Sequence, residues 1–243
     1  MAAPRSLSIV VPAFNEAVRI GRTLDELRAH LAAAPFDWEV RVVDDGSTDE
    51  TRTIVTRAAA SEPRIILQAE PHRGKGGAVR AGMLASSKDL RFLCDADLSM
   101  PLHELARFLE LVPDRCDVAI GSREGKGASR VGEPRYRHLM GRGFNYLVRA
   151  VLGFNVPDTQ CGFKLFSAKA ADGVFRLVTI EGWAFDIEAL FLAGRLGFTV
   201  RDLPIEWHYR DESRVSPVRD AFLMAKDVLK IRLNAAKGRY SAD

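Results

Sequence analysis

The chain has 243 residues, 47% hydrophobic and 28% charged, which fits one globular domain, or one domain with a C-terminal extension. Its formal net charge of +3 is too mild to argue for a nucleic-acid partner, but it suits an anionic substrate or an acidic membrane surface. Cys94, Cys116 and Cys161 are odd in number and share no CxxC spacing, so buried free thiols in a reducing, cytoplasmic setting are expected rather than disulfides or zinc.

The N-terminal stretch "MAAPRSLSIVVPAF" carries one arginine and an apolar run interrupted by Pro12, too short for a signal peptide or a span, and no later segment reaches roughly 18 unbroken apolar residues. "SLSIVVPA" then opens a series of β-branched strands, "WEVRVVDD", "RIILQAE", "RFLCDAD" and "CDVAIGS". They alternate with amphipathic stretches, the pattern of βαβ units around a mostly parallel sheet. Between the first two strands, Ile20, Leu24, Leu27 and Leu31 recur at helical spacing and predict one face packed on the sheet. "STDETRTIVTRAAA" predicts a helix capped by Ser47 or Thr48, and "GKGGAVRAGMLASS" and "MPLHELARFLELV" predict two more, the latter with Pro101 in its first turn.

After about residue 122 the chain turns polar, basic and glycine-bearing over "EGKGASRVGEPRYRHLMGRG", as a loop leading into a helix would be. "DTQCGFKLF" predicts a strand, "WAFDIEALFLAGRLG" a helix closed by Gly197, and "FTVRDLPIEWHY" a further strand. The last stretch predicts a helix with Val218, Phe222, Ala225, Leu229 and Leu233 near one stripe, surrounded by Arg219, Lys226, Lys230, Arg232, Lys237 and Arg239. Its apolar side either packs on the sheet or meets a membrane; periodicity alone does not separate the two.

In an open parallel sheet, ligands bind outside the carboxyl ends of the strands. Here those exits are acidic: Glu16 after the first strand, Asp44 and Asp45 after the second, Asp95 and Asp97 after the fourth. Carboxylates converging on one rim repel unless a cation sits among them. Oxygen ligands suit Mg²⁺ or Mn²⁺, and Mg²⁺ typically binds one or two carboxylates plus substrate phosphates. "RGKGGAVR" offers glycines and Lys75 at a helix start, yet it is no Walker loop, because Ala69 stands where the first glycine is required.

"VVPAFNE", "VVDDGSTDET", "RGKGGAVRAGM", "DADLSMP" and "GSR", in this order and spacing, resemble the family 2 inverting glycosyltransferases of GT-A fold. "DTQCGFKLF", "WAFDIEALFLA" and "SRVSPVRDAFLMAKDVLKIR" narrow the resemblance, which runs over about residues 6 to 235, to the dolichyl-phosphate β-glucosyltransferases. It implies a nucleotide-sugar-binding α/β fold over 1–215, with 216–243 as a basic amphipathic helix suited to membrane docking. It implies a UDP-sugar donor held by Pro12, Phe14, Glu16, Asp44, Lys75, Gly76 and Asp95, and a metal at Asp97 and Asp95, with Ser99 as a weaker candidate. The implied acceptor is a polyprenyl phosphate, whose anionic oxygen needs no strong base; Arg123, Arg137 and Lys164 would hold the phosphates. Asp186 would face the sugar hydroxyls with Trp183 as a wall, and His208 is a further metal candidate. A GDP-mannose donor remains open, as does a hydroxyl acceptor with a base among Asp186, Glu188 or Asp158. The enzyme is expected in the cytoplasm or peripherally on the cytoplasmic face of a membrane.

Overall fold

The computed structural model describes residues 6–154, 156–209 and 217–240, apart from the side chains of Arg135, Arg137, Pro217 and Val218. Nine strands and eight α-helices are described: β1 Ser6–Ala13, α1 Ile20–Leu31, β2 Asp37–Asp45, α2 Thr51–Ser61, β3 Ile65–Glu70, α3 Lys75–Ala85, β4 Leu90–Leu93, α4 Leu105–Leu109, β5 Val118–Ser122, β6 Ser129–Val131, α5 Arg135–Leu152, β7 Lys164–Ser167, α6 Ala168–Leu177, α7 Phe185–Arg195, β8 Val200–Pro204, β9 Glu206–His208 and α8 Pro217–Ala236.

Seven strands form one sheet in the order β3-β2-β1-β4-β7-β5-β8. β1 is parallel to β2 and to β4, β2 to β3, and β5 to β8, while β7 runs antiparallel to both β4 and β5. The chain builds outward from β1 to β3 and then returns to place β4 on the other side of β1. That reversal leaves a crevice between the ends of β1 and β4, where open α/β sheets bind ligands. β6 and β9 form a separate two-stranded parallel sheet.

Both faces of the sheet are covered, which explains why the strands read as nearly continuous apolar runs. One core joins Leu7, Ile9, Val11, Val40 and Phe92 to Ile20, Leu24 and Leu27 of α1. The other joins Val10, Val43, Leu93 and Phe166 to α3, α6 and α7. Ile20, Leu24, Leu27 and Leu31 are all buried as expected, and so are the three cysteines, which are free thiols.

Some sequence-based expectations are corrected. β4 ends at Leu93, so Asp95 and Asp97 stand in the turn beyond it. "FTVRDLPIEWHY" divides at Ile205 into β8 and β9, because the second part leaves the main sheet to pair with β6. The first N–H of α2 is met by Asp49, which accepts from the Thr51 N–H at 3.0 Å; Ser47 and Thr48 instead bind the loop after β1. On α8 the buried apolar residues are Met224, Val228 and Ile231, while Phe222, Leu229 and Leu233 are 62%, 56% and 57% exposed. This helix carries two apolar stripes on nearly opposite faces, about 150° apart around its axis, and only one fits under the domain.

Candidate active site

A cavity of about 630 Å³ opens at the crevice, lined by residues that follow β1, β4 and β5, precede β7, or stand at the starts of α3 and α7. Of the residues singled out from sequence, Pro12, Phe14, Glu16, Lys75, Asp95, Asp97, Ser99, Arg123, Trp183 and Asp186 line it together.

The β1 exit is tied to the β2 exit. Asn15 takes a left-handed backbone, φ 51°, which asparagine tolerates better than most residues. Its N–H donates to Ser47 Oγ at 2.8 Å, its side-chain oxygen accepts from the Thr48 N–H at 2.8 Å, and the Glu16 N–H donates to Thr51 Oγ1 at 2.7 Å.

At the end of β2, adjacent aspartates diverge because successive strand residues point to opposite faces. Asp44 is fully buried away from the cavity; it accepts the Ser47 N–H and pairs with Arg52 Nε at 2.5 Å. Asp45, and not the expected Asp44, is on the cavity wall. Its carboxylate accepts the N–H groups of Arg73 and Gly74 at 2.8 and 2.9 Å and meets His72 Nδ1 at 2.8 Å. The His72 ring thus held stacks on Phe14 with centroids 4.3 Å apart, giving the cavity a flat aromatic side.

The turn after β4 presents the acidic pair. Leu98 is held at φ 45°, a conformation costly for a branched-chain residue and typical of functional turns. The Ser99 N–H donates to Asp97 Oδ1 at 2.9 Å, and the Ser99 carbonyl accepts from the His208 N–H at 2.8 Å. Asp95 pairs with Lys75 Nζ at 2.7 Å. Burial first, then the Asp95 charge, push the Asp97 carboxyl above its ordinary value. Burial opposes the Lys75 charge, but Asp95, Asp186 and Asp97 outweigh it and hold Lys75 above its ordinary value. Gly162 presses its backbone against Asp95, whose carboxylate occupies the space a Cβ would need.

Two further ion pairs stand behind this turn. Arg123 grips Asp158 through Nε and Nη2 at 2.7 and 2.9 Å, and its guanidinium lies 5.2 Å from the centre of the Trp207 ring. Burial works against the Asp158 charge, but the paired arginine overrides it and holds Asp158 far below the carboxylate range. Lys164, expected to meet phosphate, is 1% exposed and lies beneath the wall, its ammonium bonded to Asp186 Oδ1 at 2.7 Å and to the Cys161 carbonyl. Gly76, expected near the nucleotide, packs against the backbone of 180–181, and its N–H donates to the Glu181 carbonyl at 2.8 Å. The ring of His208 meets Glu206 at 2.5 Å and is not part of the wall. Arg137 lies in α5, and its side chain falls outside the described residues.

Among the described residues no three His, Cys, Asp or Glu side chains form a metal cage. The Asp95 and Asp97 pair still fits a hard divalent cation that takes its remaining oxygens from a substrate diphosphate. Burial first and then the Asp95 charge push Asp97 upward, and a cation between the two carboxylates would relieve the second of these.

Sequence reasoning placed Asp45 on the acidic rim but gave the nucleotide to its neighbour Asp44, and it passed over His72, Gly162 and Trp207, which gain meaning only from partners far away in the chain.

A doubly covered sheet with an acidic turn at its switch point and a flat aromatic side beside it is the arrangement of a GT-A glycosyltransferase. The chain belongs to glycosyl transferase family 2, whose profile matches residues 8–175. It is 33% identical to a dolichyl-phosphate beta-glucosyltransferase of Dictyostelium discoideum over 96% of this chain and 75% of that protein. It is 32% identical to the human protein of that description over 97% of this chain and 78% of that one. Among solved structures, glucosyl-3-phosphoglycerate synthase from Mycobacterium tuberculosis in complex with UDP superposes with a TM-score of 0.67 at 22% identity, covering 97% of this chain and 80% of that one. That likeness carries the fold.

Proposed function

We propose that the protein transfers glucose from UDP-glucose to a polyprenyl phosphate of dolichyl type, with inversion at the anomeric carbon and with Mg²⁺ or Mn²⁺. The observation that carries the reading is the near full-length similarity to dolichyl-phosphate beta-glucosyltransferases, and the cavity is chemically suited to it. The outer face of the stacked Phe14 and His72 rings, beside Asp45, would take a planar base that offers an N–H. Asp97, with Asp95, would hold the metal, which when bound supplies positive charge against the departing diphosphate. Lys75 lies between the acidic pair and Asp186 and would orient the donor phosphates or sugar, and Asp186, fixed by Lys164, would accept from sugar hydroxyls.

An acceptor phosphate attacks the anomeric carbon as UDP leaves and needs no proton removed. Arg123 has two of its nitrogens committed to Asp158 and would offer Nη1 to that phosphate. Of the candidate bases for a hydroxyl acceptor, Glu188 is saturated by the Thr179 and Ile180 N–H groups and the hydroxyls of Thr179 and Tyr240, Asp158 is held by Arg123, and Asp186, which lines the cavity, is bonded to Lys164. The acceptor chain is anchored in lipid, so the enzyme would work at a membrane surface. The free thiols suit the cytoplasmic side.

Nucleoside diphosphate release from UDP- and GDP-sugars, with and without polyprenyl phosphate, in Mg²⁺, Mn²⁺ or EDTA, tests the proposal. Metal-dependent release from UDP-glucose that rises with the lipid supports it. Release from GDP-mannose, or release stimulated only by a soluble hydroxyl acceptor, overturns the donor or the acceptor respectively.

A further inference from the structure

Large hydrophobic side chains exposed in the described residues are concentrated on one region. Apart from Val18 they are Val131 at the end of β6, Tyr136, Leu139, Met140, Tyr146 and Leu147 on α5, and Phe222, Leu223, Leu229 and Leu233 on α8. Soluble surfaces scatter such residues singly, and a concentration of them marks a contact surface. The two helices pack against each other. Both border the cavity, α5 through Met140, Arg142, Phe144 and Asn145 and α8 through Ala221 and Met224.

Charge selects the occupant. On α8, Arg219, Lys226 and Lys230, followed by Lys237 just past its end, form a stripe beside Phe222, Leu229 and Leu233, and all are exposed, whereas the acidic residues Asp220 and Asp227 are half-buried. Lys226 Nζ lies 4.5 Å from the centre of the Phe222 ring, so cation and apolar group share one strip of surface. Arg142 and Arg149 add exposed cations on α5. Aromatic and aliphatic anchors interleaved with lysine and arginine match the interface of an anionic bilayer, with apolar groups entering the headgroup boundary and cations facing phosphate. No described helix is long and apolar enough to cross a membrane, so contact through these helices is made from the surface.

We propose that the α5–α8 face docks on an anionic lipid bilayer with the mouth of the cavity turned toward it, so that a lipid-anchored phosphate reaches Arg123 without leaving the membrane. The role given to the mouth rests on the polyprenyl-phosphate reading; the docking itself does not.

Flotation of the full chain with phosphatidylcholine vesicles, with and without 30% phosphatidylserine and containing neither donor nor acceptor, tests docking separately from catalysis. Wild type is expected to float with the anionic vesicles and to be released by salt. Lys226→Glu with Lys230→Glu is expected to weaken partitioning by at least about fivefold per cation removed. Phe222→Ser, Leu229→Ser and Leu233→Ser combined are expected to weaken it at least tenfold while glucose transfer to detergent-dispersed polyprenyl phosphate is unchanged. Failure of wild type to bind anionic vesicles at low salt overturns the proposal, as does a self-associated chain that becomes monomeric in the triple serine variant, which would make the face a contact between copies. Vesicle binding by a protein that ignores the lipid acceptor leaves the docking standing and overturns only the catalytic reading.

Discussion

Replacing Lys164 by methionine tests how deeply the wall behind the cavity depends on charge. The Lys164 ammonium and the Asp186 carboxylate lie 2.7 Å apart with side chains 1% and 6% exposed. Removing one partner of a buried pair leaves the other uncompensated and costs about 3–5 kcal/mol. For a chain of this size each kcal/mol shifts the melting temperature by about 2–4 °C, so Lys164→Met should melt about 6–20 °C below wild type at pH 8 in EDTA. Burial already pushes the Asp186 carboxyl above its ordinary value, against the pull of Lys164 and Lys75, and loss of Lys164 raises it further. A carboxyl raised in the folded state makes that state bind more protons than the unfolded chain; its penalty is fully present above the folded value and is relieved as pH falls through it. The gap to wild type should therefore narrow as pH is lowered from 8 toward 5, followed by circular dichroism melts. Pairing Lys164→Met with Asp186→Leu should recover most of the lost stability. A loss below about 1 kcal/mol that is also independent of pH would refute the reasoning, because no buried carboxylate would then have been stranded.

Gly162→Ala should cut glucose transfer by at least tenfold while shifting the melting temperature much less than Lys164→Met does, since the added methyl displaces the Asp95 carboxylate; the metal concentration for half-maximal rate should rise. Tyr240→Phe removes a 2.5 Å bond to the buried Glu188 carboxylate and should cost about 1.5–3 kcal/mol, read from denaturant midpoints. Asp158→Asn should destabilise the fold at neutral pH by freeing Arg123. Because Asp158 is held low when folded, its contribution is present above the ordinary carboxylate value and lost only as pH falls through the folded one, so the wild-type advantage should persist down to about pH 4 and fade below it.

The strands and helices that position the site were legible where periodicity had a single solution. Ile20, Leu24, Leu27 and Leu31 left α1 one face to bury, and the apolar runs before Asp44 and Asp95 left no alternative to buried strands. On α8 periodicity left the covered face open, because Met224, Val228 and Ile231 compete with Phe222, Leu229 and Leu233, and which stripe is covered depends on α5 and α7. The nucleotide role was given to Asp44 and not to Asp45, although both were read as rim carboxylates, because a one-residue difference at a strand end changes the face entirely. Lys164 looked like a phosphate ligand because its partner Asp186 lies 22 residues on; local sequence cannot tell a buried cation from an available one until the fold brings the two together. The reversal of β7 left no mark in "DTQCGFKLF", since a strand buried on both faces has the same composition in either direction.

That reversal has a consequence for anyone reshaping the enzyme. Four strands, β1, β2, β4 and β5, deliver their ends to the cavity, while β7 delivers its beginning, so residues 157–160 and Gly162 enter the wall from the opposite sense of the chain. Lengthening or exchanging the connection from α5 into β7 would alter the Arg123 and Asp158 side without threading new residues through the turns that carry Asp45, Asp95 and Asp97. On the proposed assignment of the acceptor to the Arg123 side and the donor to the turns carrying Asp45, Asp95 and Asp97, libraries confined to 153–160 should retune what is accepted while leaving what is donated largely alone.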